Sequence, residues 1–212
     1  MKDRLRKAGL ALAPALLALT AGTAPALAQD NTIRIGITLR MLVDNGFKYG
    51  DMAKAEIEEV NATGGINGHK VEVILLDDEC KPDKGVANVN RFIHQHKVHL
   101  VMGSTCSSVT LPIADITRAE KVPQIVPHST NASITQKGNE WIFRVSVSER
   151  FYAAVHAKYL SENVGKKVAY LYTTDGAAIS FAEQYMDYMR DTYQVEPVYT
   201  AQMQETDLDF RS

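Results

Sequence analysis

Apolar residues recur along this chain with two alternating periods. Short runs rich in β-branched residues, such as 32–38, alternate with longer segments in which apolar residues follow a helical spacing, such as Met52, Ile57 and Val60. This alternation predicts strands and helices in turn along the chain. The predicted strands cover 32–38, 70–76, 98–102, 122–126, 141–145, 167–172 and 196–201. The predicted helices cover 49–61, 83–96, 107–120, 150–162 and 179–193.

The regular alternation predicts an α/β fold with a doubly wound parallel sheet. Short connections between β-α units place helices on both faces of such a sheet, and ligands bind beyond the carboxyl ends of its strands. A boundary near 145–150 divides the pattern into two α/β units. The second unit has two strands and two helices before Ser212, so we expect it to be incomplete as given.

The first 28 residues have the pattern of a cleaved signal peptide. Four basic residues near the start precede an uncharged apolar stretch, and 26–28 reads Ala-Leu-Ala, the small-x-small pattern that signal peptidase recognises. A membrane anchor is the alternative, but the apolar run is shorter than the ~20 residues that span a bilayer. We therefore expect export and cleavage before Gln29.

The net charge and the two cysteines indicate which kinds of binding partner and which compartment to expect. The chain has a formal net charge of −2, and the predicted leader carries four basic residues against one acidic residue, so its removal makes the chain more acidic. An exported acidic protein is not expected to bind nucleic acid. The two cysteines, Cys80 and Cys106, favour one disulfide in an oxidising compartment, and two buried free thiols are the alternative.

Two polar turns after predicted strands are candidates for anion binding. Ser107 and Ser108 open a predicted helix after Cys106, where free backbone N–H groups and hydroxyls can bind a carboxylate or phosphate. An equally good interpretation is that Ser107 only caps the helix. Ser129 and Thr130 follow the fourth strand with the same ambiguity.

Other polar clusters favour structural roles. His94, His96 and His99 span a helix end and a strand start, which is typical of solvated residues rather than of metal ligands. The acidic turn 77–79 is interpreted as exposed rather than as a cation site. The chain lacks G-x-G-x-x-G and G-x-S-x-G, and no histidine is positioned by sequence as a base. We therefore expect neither a cofactor nor an enzyme.

Several segments together resemble the periplasmic substrate-binding proteins of branched-chain amino-acid-type ABC transporters, the leucine/isoleucine/valine-binding-like group with the type I periplasmic-binding-protein fold. The resemblance runs from Ile33 to the C-terminus. It is carried by YGD at 49–51, VNATGGING at 60–68, DDECKP at 77–82, GSTCSS at 103–108, PHSTN at 127–131, FR at 143–144 and TDLDF at 206–210. It implies two lobes that close on a ligand like a hinged clamp, lobe 1 at 29–147 and a C-terminally truncated lobe 2 at 148–212.

The resemblance also implies roles for individual residues. It implies a disulfide between Cys80 and Cys106. Ligand contacts would fall on Ser107, Ser129 and Thr130, whose hydroxyl and backbone groups would hold a carboxylate and, in amino-acid binders, the ammonium. Tyr49 matches a tyrosine at the edge of the cleft.

Three departures from the family pattern leave the ligand open. The loop at 39–46 is bulkier and charged, the tyrosine expected near Ala177 is missing, and the acidic residue that grips the ligand ammonium would lie beyond Ser212. An amino acid therefore competes with an aromatic or other organic acid, for which Arg40 is an additional anion partner.

The resulting hypothesis is a monomeric, non-enzymatic protein without cofactor or metal. It captures a small carboxylate and delivers it to an inner-membrane ABC permease. A hydrolase that uses Ser107 or Ser129 is the competing class. With about half of the clamp absent, the chain as given is expected to bind its ligand weakly, because closure of both lobes shields the ligand from water.

Overall fold

The computed structural model describes residues 31–41, 49–136, 138–204 and 207, and of residue 49 only the backbone. The predicted leader at 1–28 lies outside the described residues. Within them the chain forms one sheet of five strands and a second sheet of two. None of the described helices is long and apolar enough to cross a membrane. The lobe boundary at 147 and 148 stays a prediction.

Strands and helices alternate along the described chain. The strands are β1 (Thr32–Leu39), β2 (Lys70–Asp77), β3 (Leu100–Gly103), β4 (Gln124–Val126), β5 (Ile142–Arg144), β6 (Ala169–Thr173) and β7 (Tyr199–Met203). The helices are α1 (Tyr49–Ala62), α2 (Pro82–His94), α3 (Ser107–Ala119), α4 (Ser133–Gln136), α5 (Glu149–Asn163) and α6 (Gly176–Tyr193). Every predicted strand and helix is present, and α4 is a short addition that the apolar pattern does not predict.

The predicted starts of α6 and β7 are each wrong by three residues, each for a local reason. α6 begins at Gly176 rather than at 179 because the Asp175 side chain caps it, accepting hydrogen bonds from the backbone N–H of Ala177 and Ala178. β7 begins at Tyr199 rather than at 196. Pro197 interrupts the predicted run there, and proline has no N–H to donate to a sheet.

Both sheets are parallel, as the alternation predicts. The strand order of the larger sheet is β2-β1-β3-β4-β5, and β6 pairs with β7 in the smaller one. In the larger sheet Ile37 of β1 is level with Leu75 of β2 and Met102 of β3. Parallel pairing brings the carboxyl ends of these strands to one edge, so the turns that follow them are neighbours.

The core of the first unit lies where α2 and α3 pack against the larger sheet. Phe92, Val101 and Ile113 are fully buried there. A Cβ on Gly36 would lie 2.5 Å from Cγ of Phe92, so glycine at this position of β1 lets the phenyl ring approach the sheet. The second unit has a smaller core, formed by residues of α5 and α6 such as Ala157 and Tyr185.

A buried carboxylate joins the ends of three neighbouring strands. Asp78 follows β2 and is fully buried. Its Oδ2 accepts hydrogen bonds from the hydroxyls of Thr38 in β1 (3.2 Å) and of Ser104 just after β3 (2.7 Å). Its Oδ1 accepts a hydrogen bond from the N–H of Cys80 (2.9 Å). The ends of β1, β2 and β3 are thereby tied to one side chain.

The hydrogen-bond network continues from Ser104 toward β4. The Ser129 hydroxyl donates to the carbonyl of Ser104 (2.9 Å). The side-chain amide of Gln124 donates to the carbonyl of Gly103 (2.7 Å), and its Oε1 accepts from the hydroxyl of Thr117 (2.8 Å). Gln124 and Thr117 are fully buried, so the network supplies the partners that buried polar groups require.

The burial of Asp78 corrects the interpretation of the acidic turn at 77–79. Asp77 and Glu79 are exposed, but Asp78 has no exposed surface. Burial raises the pKa of Asp78 above its ordinary value of 3.8, although the hydrogen bonds from Ser104, Cys80 and Thr38 act in the opposite direction. A turn that looked exposed therefore holds a structural acid.

The predicted disulfide between Cys80 and Cys106 is present, with 5.6 Å between the two Cα atoms. It joins the turn after β2 to the residue before α3. The disulfide and the Asp78 hydrogen bonds therefore act on the same turns, and together they fix the start of α3 relative to the end of β2.

The raised pKa of Asp78 predicts a pH dependence of stability. The native state binds this proton more tightly than the unfolded state, so the group's contribution to the free energy of unfolding falls as the pH rises from 3.8 through the raised native pKa. The slope from one such group is at most about 1.4 kcal/mol for each pH unit. Denaturant unfolding of the wild type and of Asp78→Asn across this range should show the wild type losing stability relative to the variant. A difference that is constant or that rises with pH contradicts the prediction.

The disulfide closes a loop between residues 26 apart in sequence. Replacing both cysteines by serine should lower the free energy of unfolding by about 3.5 kcal/mol, because the cross-link limits the unfolded chain. Chemical denaturation of the oxidised wild type and of the Cys80→Ser, Cys106→Ser double variant measures the difference. Adding a reductant should lower the stability of the wild type and leave that of the double variant unchanged. If the reductant has no effect on the wild type, the bond does not contribute.

Candidate functional site

A cleft of about 370 Å³ lies at the carboxyl ends of the strands, where the turns after β1, β2 and β3 meet those after β6 and β7. Ligand sites of parallel sheets occur at this end. The described residues that line the cleft are Arg40, Glu79, Cys80, Ser108, Thr174, Asp175 and Gln204. Of the residues predicted to bind ligand, the cleft lining therefore includes Arg40 and Ser108.

Charged side chains lie on the first-unit side of the cleft. Arg40 follows β1 and is half-buried. Glu79 forms ion pairs with Lys81 (3.1 Å) and Lys84, and these two lysines lower the pKa of Glu79. Two ammonium groups thus offset the Glu79 charge, and Arg40 is a further charged residue of the cleft lining on this side.

The second-unit side of the cleft is formed by the start of α6 and the end of β7. Asp175 accepts hydrogen bonds from the N–H groups of Ala177 (2.8 Å) and Ala178 (3.2 Å). The Thr174 hydroxyl donates to Oε1 of Gln204 (2.9 Å). These contacts fix the two turns of the second unit against each other.

Helices α3 and α6 begin beside each other at the cleft. A Cβ on Gly176 would lie 3.3 Å from the backbone nitrogen of Ser108. The side chain of Asn131 donates to the carbonyl of Gly176 (2.9 Å). The turn after β4 therefore contacts the second unit directly, and the absence of a side chain at residue 176 permits the close approach.

Ser107 is buried at the start of α3 and is 1% exposed. Cys106 occupies the N-cap position, so the interpretation of Ser107 as the helix cap does not hold. The Ser107 oxygen accepts a hydrogen bond from the N–H of Asn131 (3.3 Å). This contact joins the first of the two predicted anion-binding turns to the second.

Ser129 faces the interior of the first unit. It is 1% exposed, and its hydroxyl contacts the carbonyl of Ser104 (2.9 Å) and the hydroxyl of Thr110 (2.7 Å). These contacts give the side chain a structural role in the network below the cleft. The predicted ligand contact of Ser129 stays a prediction.

Two charged side chains form hydrogen bonds with the turn that contains Thr130. Glu149 accepts hydrogen bonds from the hydroxyl of Thr130 (3.2 Å) and the N–H of Ala132 (2.7 Å). Arg144 donates to the carbonyls of Thr130 (3.1 Å) and Asn131 (2.7 Å). Burial lowers the pKa of Arg144, and the charge of Glu149 acts in the opposite direction. The carboxylate of Glu149 thus accepts hydrogen bonds from this turn, and the guanidinium of Arg144 donates hydrogen bonds to its carbonyls.

The remaining residues that the sequence suggested for ligand or metal binding do not form part of the cleft described above. The side chain of Tyr49 is outside the described residues. His99 accepts a hydrogen bond from the N–H of Arg34 through Nδ1 (3.0 Å), and Nε2 of His94 lies 4.0 Å from Glu120. Within the described part of the chain, no three side chains of the kinds that bind metals come together as a metal site.

Sequence reasoning missed the supporting residues of the site. Arg144 lies in the FR segment that carries part of the resemblance, and Asn131 lies in the PHSTN segment, but neither was assigned a role. Glu149 gave a weak signal, because an acid in the first turn of a helix is common there for electrostatic reasons.

Comparison with known proteins identifies the family of this chain. Residues 43–212 match the family described as periplasmic binding protein. An amino acid binding protein of Pseudomonas aeruginosa is 34% identical over 131 residues, which are 61% of this chain and 35% of that protein. A leucine-, isoleucine-, valine-, threonine-, and alanine-binding protein of the same organism is 36% identical over 124 residues, which are 57% of this chain and 33% of that protein.

Solved structures show the same fold. The leucine binding protein LivK of Thermotoga maritima has a TM-score of 0.72 and 25% identity, covering 84% of this chain and 51% of that one. LivJ, a branched-chain amino acid transporter substrate binding protein of Streptococcus pneumoniae in complex with isoleucine, has a TM-score of 0.69 and 28% identity, covering 85% and 52%. The chain thus spans about a third of the length of these curated relatives and about half of these solved chains. The predicted type I fold is confirmed, and the chain belongs to the periplasmic binding protein family.

Proposed function

We propose that this chain is the ligand-capturing part of an exported solute-binding protein that holds a small carboxylate, in the first place an amino acid, and delivers it to an inner-membrane ABC permease. The cleft at the strand ends, with Arg40 and the start of α3 in its wall, carries the proposal. The family match and relatives named as amino-acid-binding proteins support it.

In this proposal the first unit recognises the carboxylate. The backbone N–H groups at the start of α3 and the Ser107 and Ser108 hydroxyls would donate to it, and Arg40 would form an ion pair. Because Ser107 already accepts from Asn131, its own proton is left to donate. Closure of the second unit, which touches the first at Gly176, would then exclude water from the ligand.

An aromatic or other organic acid is the second candidate ligand, for which Arg40 in the cleft wall is an additional anion partner. A guanidinium strengthens binding to any carboxylate, with or without an ammonium. Under both alternatives the protein is a monomer in the periplasm and binds without cofactor, metal or catalysis. The leader pattern at 1–28 supports its export.

The hydrolase alternative requires a serine activated by a base. In the described contacts the Ser107 hydroxyl meets the N–H of Asn131, and the Ser129 hydroxyl meets Ser104 and Thr110. Neither serine contacts a histidine among these residues, and an activated nucleophile needs such a partner. Binding is therefore the better proposal.

Ligand titration of residues 29–212 tests the function. NMR titration is suited to it, because the chain is expected to bind weakly and the method registers millimolar affinities. We expect shifts at the start of α3 on addition of L-leucine or L-isoleucine. Shifts only with 4-hydroxybenzoate would favour the organic-acid alternative, and turnover of an ester substrate would contradict the binding function altogether.

Replacing Ser107 by alanine should raise the dissociation constant of the bound ligand by about tenfold, because one hydrogen bond to a charged carboxylate is lost. Ser161→Ala is the matched control, since Ser161 lies in α5 and its hydroxyl donates to the carbonyl of Ala157. Titration of both variants with the same ligand measures the effect. An affinity that Ser107→Ala leaves unchanged would mean that Ser107 does not touch the ligand.

A further inference from the structure

The second-unit side of the cleft consists of polar side chains. Among the described residues, this side is formed by Thr174, Asp175 and Gln204. None of the described residues that line the cleft, on either side, has a branched aliphatic or an aromatic side chain. A ligand that extends an apolar branch across the cleft would therefore displace water from hydrogen-bonding groups without replacing the hydrogen bonds, which is unfavourable.

Gln204 is fixed at the cleft through both its backbone and its side chain. Its N–H donates to Oδ2 of Asp207 (2.7 Å), and its carbonyl accepts from the N–H of Asp207 (3.1 Å). The N–H of Thr174 donates to the carbonyl of Met203 (3.1 Å), the residue before Gln204. The Thr174 hydroxyl donates to Oε1 of Gln204 (2.9 Å). The Gln204 amide is therefore positioned before a ligand binds, which lowers the cost of ordering it.

The contact with Thr174 determines which hydrogen bonds this side of the cleft can offer. Because Oε1 of Gln204 accepts from Thr174, the two amide N–H groups of Gln204 are the part left to donate to a ligand. Thr174 has used its proton, so its oxygen can only accept. Oδ2 of Asp175 accepts from two N–H groups of α6, whereas its Oδ1 takes part in none of the described hydrogen bonds. A donor thus lies beside two acceptors.

A neutral polar group suits this arrangement better than a charged one. Carboxylates line both sides of the cleft, at Glu79 and Asp175, so a second carboxylate on the ligand would be repelled. A cation could only donate, and it would leave the Gln204 N–H groups without an acceptor. The charge of Asp175 is already directed at the positive end of α6, and that of Glu79 at two lysines. A carboxamide has a carbonyl acceptor and N–H donors in one group.

We propose that Gln204, positioned by Thr174, makes the cleft select an amino acid with a carboxamide side chain over one with an aliphatic branch. The carbonyl of the ligand side chain accepts from the Gln204 amide, and its N–H groups donate to Oδ1 of Asp175 and to the Thr174 oxygen. The cleft volume of about 370 Å³ lies at the lower end of the range for small-molecule sites, about 300–1,000 Å³. The inference rests on the proposed function, because it requires an amino acid whose carboxylate is bound by the first unit.

L-asparagine, L-leucine and L-aspartate are matched probes, because they have nearly the same shape and differ at the end of the side chain. NMR titration of each into residues 29–212 gives three dissociation constants. We expect asparagine to bind about tenfold more tightly than leucine, since leucine leaves the hydrogen-bonding groups unpaired, and aspartate to bind more weakly than asparagine. Gln204→Met keeps the length of the side chain and removes its amide, and it should lower the asparagine preference to about threefold or less.

Two further comparisons separate recognition from a general structural effect. Gln202→Met makes the same change at an exposed glutamine of β7 outside the described cleft lining, and it should leave the preference unchanged. Thr174→Val removes the hydroxyl that orients the Gln204 amide and should also lower the preference, whereas Thr174→Ser should keep it. If Gln204→Met fails to fold, the two Thr174 variants test the inference instead.

The outcomes distinguish the inference from the function on which it rests. Leucine that binds as tightly as asparagine overturns the inference and leaves the binding function intact, and so does aspartate that binds more tightly than asparagine. A preference that Gln204→Met and Thr174→Val both leave unchanged overturns it as well. If the wild type binds no amino acid and no organic acid, the proposed function fails and the inference fails with it.

Discussion

The cleft depends on one buried carboxylate at the edge of the larger sheet. Removing an ionised group from water is unfavourable unless donors replace the water, and Asp78 finds its donors on Thr38, Ser104 and Cys80. Those donors belong to three different chain segments. The energetic requirement of a single acid therefore fixes the relative positions of three strand ends, and the cleft wall at Arg40 and the start of α3 follows from them.

A second buried acid with hydrogen-bond donors from the protein lies at the turn after β4. Glu149 is buried and takes its donors from Thr130 and Ala132, while Arg144 occupies the carbonyls of the same turn. Both charged residues lie on the segment that leads from β5 into α5, which is the connection between the two sheets. The turn after β4 is therefore attached to the connection between the two sheets.

The periodic part of the fold could be predicted from sequence, whereas contacts between distant residues could not. Strand and helix periods identified every β-α unit, and the compartment together with the family pattern identified the disulfide between Cys80 and Cys106. The sequence interpretation has Asp78 exposed because an acidic turn at a strand end usually is, and only the tertiary structure brings Thr38 and Ser104 to it. Glu149 lies 17 residues from Ala132 in sequence, and no local pattern marks such a contact.

The two buried acids also show how a structural hydroxyl differs from one available to a ligand. Ser104 gives its proton to Asp78, and its oxygen accepts from the N–H of Cys106 (3.2 Å), so the protein uses both of its capacities. Thr130 gives its proton to Glu149, and among the described contacts its hydroxyl oxygen accepts from no donor. The half-buried oxygen of Thr130 thus retains an unused acceptor at the edge of the sheet where ligands bind. The two hydroxyls therefore differ in the hydrogen-bonding capacity that the protein leaves unused, although each donates its proton to a buried acid.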